Sequence, residues 1–265
     1  MTSKSTAPKT QGTGIERVAG EFTAKPPEAL EKQRELLRIA TELLPAFGEH
    51  WSKHHMVTMK VESVSRIVYY HSLYQQILNV PGVICEFGVQ WGATLAQLIN
   101  FRSMYEPFNI SRTIVGFDTF EGFIGTDTKD GSYSRVGDYS SMDGYEKTLE
   151  KILSLHESFA PYPHLKKFEL VKGDASTSIT PWLESNPHAI ISMAIFDMDL
   201  YLPTRDVLEK IIPRLTKGSL LVFDEANCKH FPGETRALHE VLGLNNIKLR
   251  RTPLQPYCAW AVYGE

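Results

Sequence analysis

A chain of 265 residues is long enough to bury one large core, and its net charge of -3, with no long basic run, excludes the positive field that a nucleic-acid backbone requires. No stretch is long and apolar enough to span a bilayer, so a membrane is excluded as well. The three cysteines, Cys85, Cys228 and Cys258, lie far apart without paired spacing, which matches neither a disulfide framework nor a zinc site and points to a reducing, cytoplasmic setting.

Residues 1–26 begin with the polar run MTSKSTAPKTQGTG and are expected to form a flexible tail. From Pro27 apolar residues recur near the helical period through PEALEKQRELLRIATELLPAF, and a second helix is predicted from about Val61 to Leu78 with Ile67, Tyr70, Leu73 and Ile77 on its buried stripe. Residues 27–80 thus read as a helical extension that covers the sheet, closes a pocket or supplies the surface for a homo-oligomer.

Residues 81–265 read as one α/β domain. Short apolar runs alternate there with helical patterns, the signature of βαβ units and a mostly parallel sheet with helices on both faces. The predicted strands are VICEFGV, TIVGFDT, FELVKGD, AIISMAIFD and SLLVFDEA. Each ends in a polar or acidic residue, so Glu86, Asp118, Asp174, Asp197 and Asp224 should meet at the carboxyl edge, where open α/β sheets bind ligands. The tail, IKLRRTPLQ followed by PY and CAWAVYGE, leaves no room for a crossover helix and predicts a C-terminal antiparallel hairpin. That combination resembles the Rossmann-like architecture of class I methyltransferases. Between the second and third strands, GTDTKDGSYSRVGDYSSMDG (residues 125–144) is expected to be a loose lid over the crevice or a mobile surface loop.

The turn after the first strand reads E-x-G-x-x-x-G over Glu86, Gly88 and Gly92, with Thr94 just beyond it. Gln90 stands where a dinucleotide fingerprint has the glycine that lets a pyrophosphate approach. S-adenosylmethionine has no phosphate and does not need that cradle. Its amino end is expected at Glu86, or Glu86 caps the turn. Its ribose is expected at Asp118, 32 positions on, against roughly 20 in the dinucleotide motif. Asp174, in Gly-Asp-Ala, either meets the adenine or caps a helix.

FDMDLYLPT and VFDEA bring Asp197, Asp199, Asp224 and Glu225 to one edge. Uncompensated, such a cluster raises carboxyl pKa values and lowers stability. An oxygen-only donor set suits a hard cation, Mg2+ first, with Asp197, Asp224 and Glu225 as ligands. Asp199 reads as a fourth ligand, a neighbour of the ligands or a helix-capping acid.

EFGVQWGAT, GFDTFEGF, FDMDLYLPTRDVLEKIIPRLTKGSLLVFDE and GETRALHEV together resemble the macrocin O-methyltransferase family, metal-dependent enzymes that methylate sugar hydroxyls in antibiotic biosynthesis. The resemblance runs from about Val61 to the C-terminus. It implies that Asp197 is both a Mg2+ ligand and the general base, and that Asp224 and Glu225 complete the metal site. Met198 departs from the family's glycine, and Glu225 from its second aspartate. The implied function is S-adenosylmethionine- and Mg2+-dependent O-methylation of a small-molecule hydroxyl, that of a deoxysugar or glycosylated natural product. A catechol or phenol O-methyltransferase, a nicotinamide-dependent oxidoreductase and a non-catalytic cofactor-binding module are the alternatives. Trp91, Tyr139, Tyr145, His230 and Arg236 are candidate acceptor contacts or ordinary packing and surface residues.

Overall fold

The structure is a computed structural model and describes residues 16–18 and 20–265. Most of the tail expected over 1–26 therefore lies outside the described residues. The chain divides into two compact units, 1–60 and 61–265. That boundary differs from the 80/81 boundary expected from sequence, because the second N-terminal helix is built into the core of the second unit.

In the first unit, β1 (Glu16–Val18) and β2 (Glu21–Thr23) pair antiparallel, so part of the expected tail is ordered. Helix α1 (Pro27–Leu43) opens on a proline, whose fixed φ suits a first turn that needs no N–H. A 3-10 segment, Leu44–His50, leads into the short α2 (Trp51–His54). Of the apolar residues in α1, Leu30 is buried while Leu37 is 66% exposed.

The second unit runs α3 (Val61–Gln76), β3 (Val83–Phe87), α4 (Ala93–Tyr105), β4 (Ile114–Asp118), α5 (Tyr145–Ser158), β5 (Phe168–Lys172) and α6 (Ala175–Ser185). It continues through β6 (Ile191–Phe196), α7 (Tyr201–Ile211), β7 (Leu215–Phe223), α8 (Gly233–Leu242), β8 (Arg250–Arg251) and β9 (Ala259–Val262). The sheet order is β5-β4-β3-β6-β7-β9-β8. The strands from β3 to β7 pair in parallel, and β9 runs antiparallel to both β7 and β8. The order reverses between β3 and β6, which opens a crevice at their carboxyl ends. The expected hairpin is present, but β8 is only two residues long. Pro253 and Pro256 follow it and bring no N–H to a ladder, so 252–258 becomes connection rather than strand.

Strand residues alternate between two cores, as a period of two requires. Ile84, Ile114, Met193, Ile195, Leu220 and Val222 pack with α3, α4 and α5. Phe87, Phe117, Phe196 and Phe223 pack on the other face with α6, α7 and α8. These four phenylalanines sit in register on adjacent strands and stack in a row, with centroid separations of 4.9, 5.5 and 5.1 Å. The next residue on each strand is Gly88, Asp118, Asp197 or Asp224, so the aromatic row fixes a common depth for the floor of the crevice.

Within residues 125–144, the stretch from Asp127 to Asp130 is tied down by hydrogen bonds. Asp127 and Asp130 cap the short 3-10 turn Thr128–Asp130 reciprocally, and buried Asp130 also accepts the N–H of Tyr201 at 2.6 Å. Acids that suggest solvent in the sequence are consumed by backbone donors, which pins the segment to the start of α7.

Candidate active site

A cavity of about 370 Å³ opens at the carboxyl edge, within the size range of small-molecule sites. Glu86, Asp118, Asp174, Asp197 and Asp224, the five acids expected to converge there, all line it. Asp199 and Thr94 are also in its wall. Arg66 of α3 is the one cationic side chain among the described lining residues.

The first turn is shaped by close approach. Gly88 has φ +95°, and a Cβ there would lie 1.9 Å from the carbonyl oxygen of Asp197, so no other residue fits without moving the neighbouring strand. Gly92 starts α4 at φ +74°, where a Cβ would collide with the Leu149 side chain. Gln90 holds φ +49°, an uncommon conformation for a residue with a side chain. Asp118 stabilises it: one carboxylate oxygen accepts the N–H groups of Val89 at 2.6 Å and Gln90 at 2.8 Å. The other accepts Phe120 N–H at 2.5 Å. Asp118 therefore ties the loops after β3 and β4 together, a role the sequence reading did not assign to it.

Glu86 is buried, and its Oε2 has no hydrogen-bond partner. Burial and the nearby Asp197 charge push its carboxyl well above the usual range. Thr94 bonds to it and is itself buried. A carboxyl with one unpartnered oxygen in the wall of a ligand-sized cavity is a group prepared for a donor from outside the chain. Asp174 caps α6 by accepting Ser176 N–H at 2.8 Å, the capping arrangement weighed from sequence, and it keeps a place in the cavity wall.

The acids of β6 and β7 are held by two residues that the sequence reading left without a role. Arg66 spans them, with Nη2 2.8 Å from Asp197 Oδ2 and Nη1 3.1 Å from Asp224 Oδ1. Glu234, wholly buried at the start of α8, accepts the N–H groups of Met198 and Asp199 at 3.3 Å and of Glu225 at 3.1 Å. Arg66 is hidden in sequence because it lies within a helix that reads only as apolar stripe. Glu234 lies inside the GETRALHEV segment, where nothing local marks it as a backbone acceptor. Burial followed by Asp224 repulsion pushes Asp197 up to about 7, against the pull of Arg66. Burial likewise pushes Glu225 to about 7. Asp199 is buried at φ +60°, and burial and Glu225 raise it well above its ordinary value.

The expected three-carboxylate metal centre is not assembled. Among the described residues no group of three or more His, Cys, Asp or Glu side chains is placed to hold a metal ion. Glu225 is absent from the cavity wall and bonds to Cys228, and Arg66 lies between Asp197 and Asp224. The donor chemistry nonetheless fits a hard cation: the donors are all carboxylates, and Glu225 Oε2 is buried without a partner. Cys228 and His230 form no metal site with these acids.

Of the candidate acceptor contacts, Trp91 and Tyr139 line the cavity. Tyr145 packs edge-on against Trp91 and donates to its carbonyl at 3.1 Å, and His230 stacks edge-on with Tyr133. Tyr145, His230 and Arg236 are not in the cavity wall. Among the described residues no helix is long and apolar enough to cross a membrane.

The parallel sheet with its antiparallel end, the reversal between β3 and β6 and the acid-edged crevice define a class I methyltransferase fold. A structure of CalS11, a calicheamicin methyltransferase, superposes with a TM-score of 0.88 at 35% identity, covering 98% of this chain and 100% of that one. The apo structure of CalS11, described as a TDP-rhamnose 3'-O-methyltransferase of calicheamicin biosynthesis, gives 0.80 at 35% identity over 91% and 96% of the two chains. The chain belongs to the sugar O-methyltransferase family that includes CalS11, and it is an O-methyltransferase. The O-methyltransferase NovP shares the fold, with a TM-score of 0.55 at 15% identity over 75% of this chain and 79% of that one. No protein-family model and no curated protein matches the chain.

Proposed function

We propose that this protein transfers the methyl group of S-adenosylmethionine to a hydroxyl of a deoxysugar, carried on a nucleotide or within a glycosylated natural product. The observation that carries the cofactor assignment is the make-up of the cavity wall: six acidic side chains, Glu86, Asp118, Asp174, Asp197, Asp199 and Asp224, with one guanidinium. Their carboxyl oxygens can accept from the ammonium group and the ribose hydroxyls of S-adenosylmethionine, and Gln90 stands where the cradle for a nicotinamide cofactor's pyrophosphate needs a glycine. The sugar assignment is supported by the 35% identity to CalS11 and by the resemblance of the Asp197 to Glu225 segment to the macrocin O-methyltransferases.

In this reading Glu86 receives the amino group of the cofactor, Asp118 adds ribose hydroxyls to the donors it already accepts, and Asp174 and Ala175 border the adenine. The acceptor oxygen attacks the methyl carbon in line with the breaking carbon–sulfur bond, and Asp197 takes the hydroxyl proton. The products are a methyl ether and S-adenosylhomocysteine. Asp197, Asp224 and Glu225 would hold Mg2+, whose chemistry when bound is Lewis-acid polarisation of the acceptor hydroxyl. Trp91 and Tyr139, which line the cavity, would pack against the acceptor ring.

The test is incubation with S-adenosylmethionine, Mg2+ and a panel of deoxysugars beginning with TDP-rhamnose, read by mass spectrometry and by the position of the new methyl group. One methyl on a sugar oxygen supports the reading. Tight binding of a nicotinamide cofactor with no affinity for S-adenosylhomocysteine overturns it.

A further inference from the structure

Arg66 does more than line the cavity. Its two terminal nitrogens engage one oxygen each of Asp197 and Asp224, which come from neighbouring strands. Its guanidinium lies 5.1 Å from the Tyr70 ring centroid, and Nη2 is 3.3 Å from the Tyr70 hydroxyl. The Asp224 oxygen that meets Arg66 also receives the Cys258 thiol at 3.0 Å. Arg66 thus bridges two partly exposed acids in the wall of a cavity lined by six acidic side chains, and its guanidinium is steadied by a buried aromatic residue one helical turn away.

A hard cation held between Asp197 and Asp224 takes up the place where the guanidinium lies and competes with it for the oxygens it meets. Two cations at that spot would repel, so the two occupants exclude each other. We propose that Arg66 is the built-in counter-ion of the Asp197 and Asp224 pair, and that it is displaced when a divalent cation binds, so that the arginine sets the affinity of the metal site. This rests on the metal-assisted reading above. It accounts for the two carboxylates lying side by side: the pair is satisfied by a planar fork that meets one oxygen of each. Metal binding therefore includes a conformational step, withdrawal of Arg66, that an open carboxylate site would lack.

The experiment uses the full chain after chelator treatment, with Mn2+ alone as the probe. Calorimetric titration compares the parent protein with Arg66→Met, which keeps an unbranched apolar stem but carries no charge. The variant is expected to bind Mn2+ about tenfold more tightly, the gain when a binding-competent state populated to about a tenth becomes the whole population. In chelator the variant melts below the parent and recovers with Mn2+, while the parent responds less. A second measurement needs no variant: phenylglyoxal labelling of the parent, followed by peptide mass spectrometry, should modify Arg66 faster with Mn2+ than with chelator. Unchanged or weaker Mn2+ binding by Arg66→Met, or labelling of Arg66 that ignores Mn2+, overturns the proposal. S-adenosylhomocysteine binding in the same samples separates the two readings. If it is intact while the metal response fails, only the Arg66 proposal falls; if it is absent, the functional reading falls with it.

Discussion

The carboxylate of Glu234 accepts the backbone N–H of Glu225 at 3.1 Å, and through its other oxygen it also holds the turn at Met198 and Asp199. One buried side chain thus braces both acid-bearing strand ends without lining the cavity.

Glu234→Ala leaves those N–H groups without their acceptor in a buried place, so it should lower stability by about 1–3 kcal/mol in urea denaturation. Methyl transfer should fall further than cofactor affinity, because the displaced parts are the acid turns and not the turn after β3. A variant as stable and as active as the parent would show that Glu234 braces nothing.

Glu86 tests the balance between stability and binding. Its folded-state value lies well above the unfolded value of about 4.3. The stability linked to it is fully present below the unfolded value and is lost as pH rises towards the folded one. Glu86→Gln should therefore melt higher than the parent at neutral pH, with the difference vanishing in acid, while its affinity for S-adenosylhomocysteine drops. A variant that melts lower at neutral pH would mean that the carboxylate is satisfied within the chain.

Asp118→Ala removes the acceptor shared by Val89, Gln90 and Phe120. A charged hydrogen bond contributes about 1.5–3 kcal/mol. Because the variant also offers the ribose hydroxyls no acceptor, S-adenosylhomocysteine should bind at least roughly tenfold more weakly by calorimetry. Unaltered affinity would remove Asp118 from the cofactor site.

Asp130→Ala cuts the tie between residues 125–144 and the N–H of Tyr201. Trypsin should then cleave after exposed Arg135 faster than in the parent. Equal rates would mean that the segment is held by other contacts.

The five parallel strands were legible because each is a short run, largely apolar, with an acid near its carboxyl end, and all five acids reach one cavity. The antiparallel end was legible in kind but not in length, since Pro253 and Pro256 cost β8 its ladder. The division at Lys60 was hidden because α3 reads much like α1, although Tyr69, Tyr70, Leu73 and Tyr74 of α3 are wholly buried while α1 buries only Leu30. The ties of Asp127 and Asp130 within residues 125–144 were not legible because local composition does not record which backbone donors an aspartate will meet. The same limit hid Arg66 and Glu234, whose partners lie 131 and 158 residues and 9 to 36 residues away in sequence. Spacing placed Asp197, Asp224 and Glu225 at one edge, but side-chain direction separates Glu225 from the cavity that the other two line.

The most direct test of the central claim, sugar O-methylation with Asp197 as base, is turnover by Asp197→Asn. S-adenosylhomocysteine release is measured with saturating S-adenosylmethionine, Mg2+ and TDP-rhamnose, or whichever deoxysugar the parent methylates. The amide keeps the shape but takes no proton, so the rate should fall by roughly 10²–10⁴-fold with cofactor affinity retained. Turnover equal to that of the parent would contradict the account.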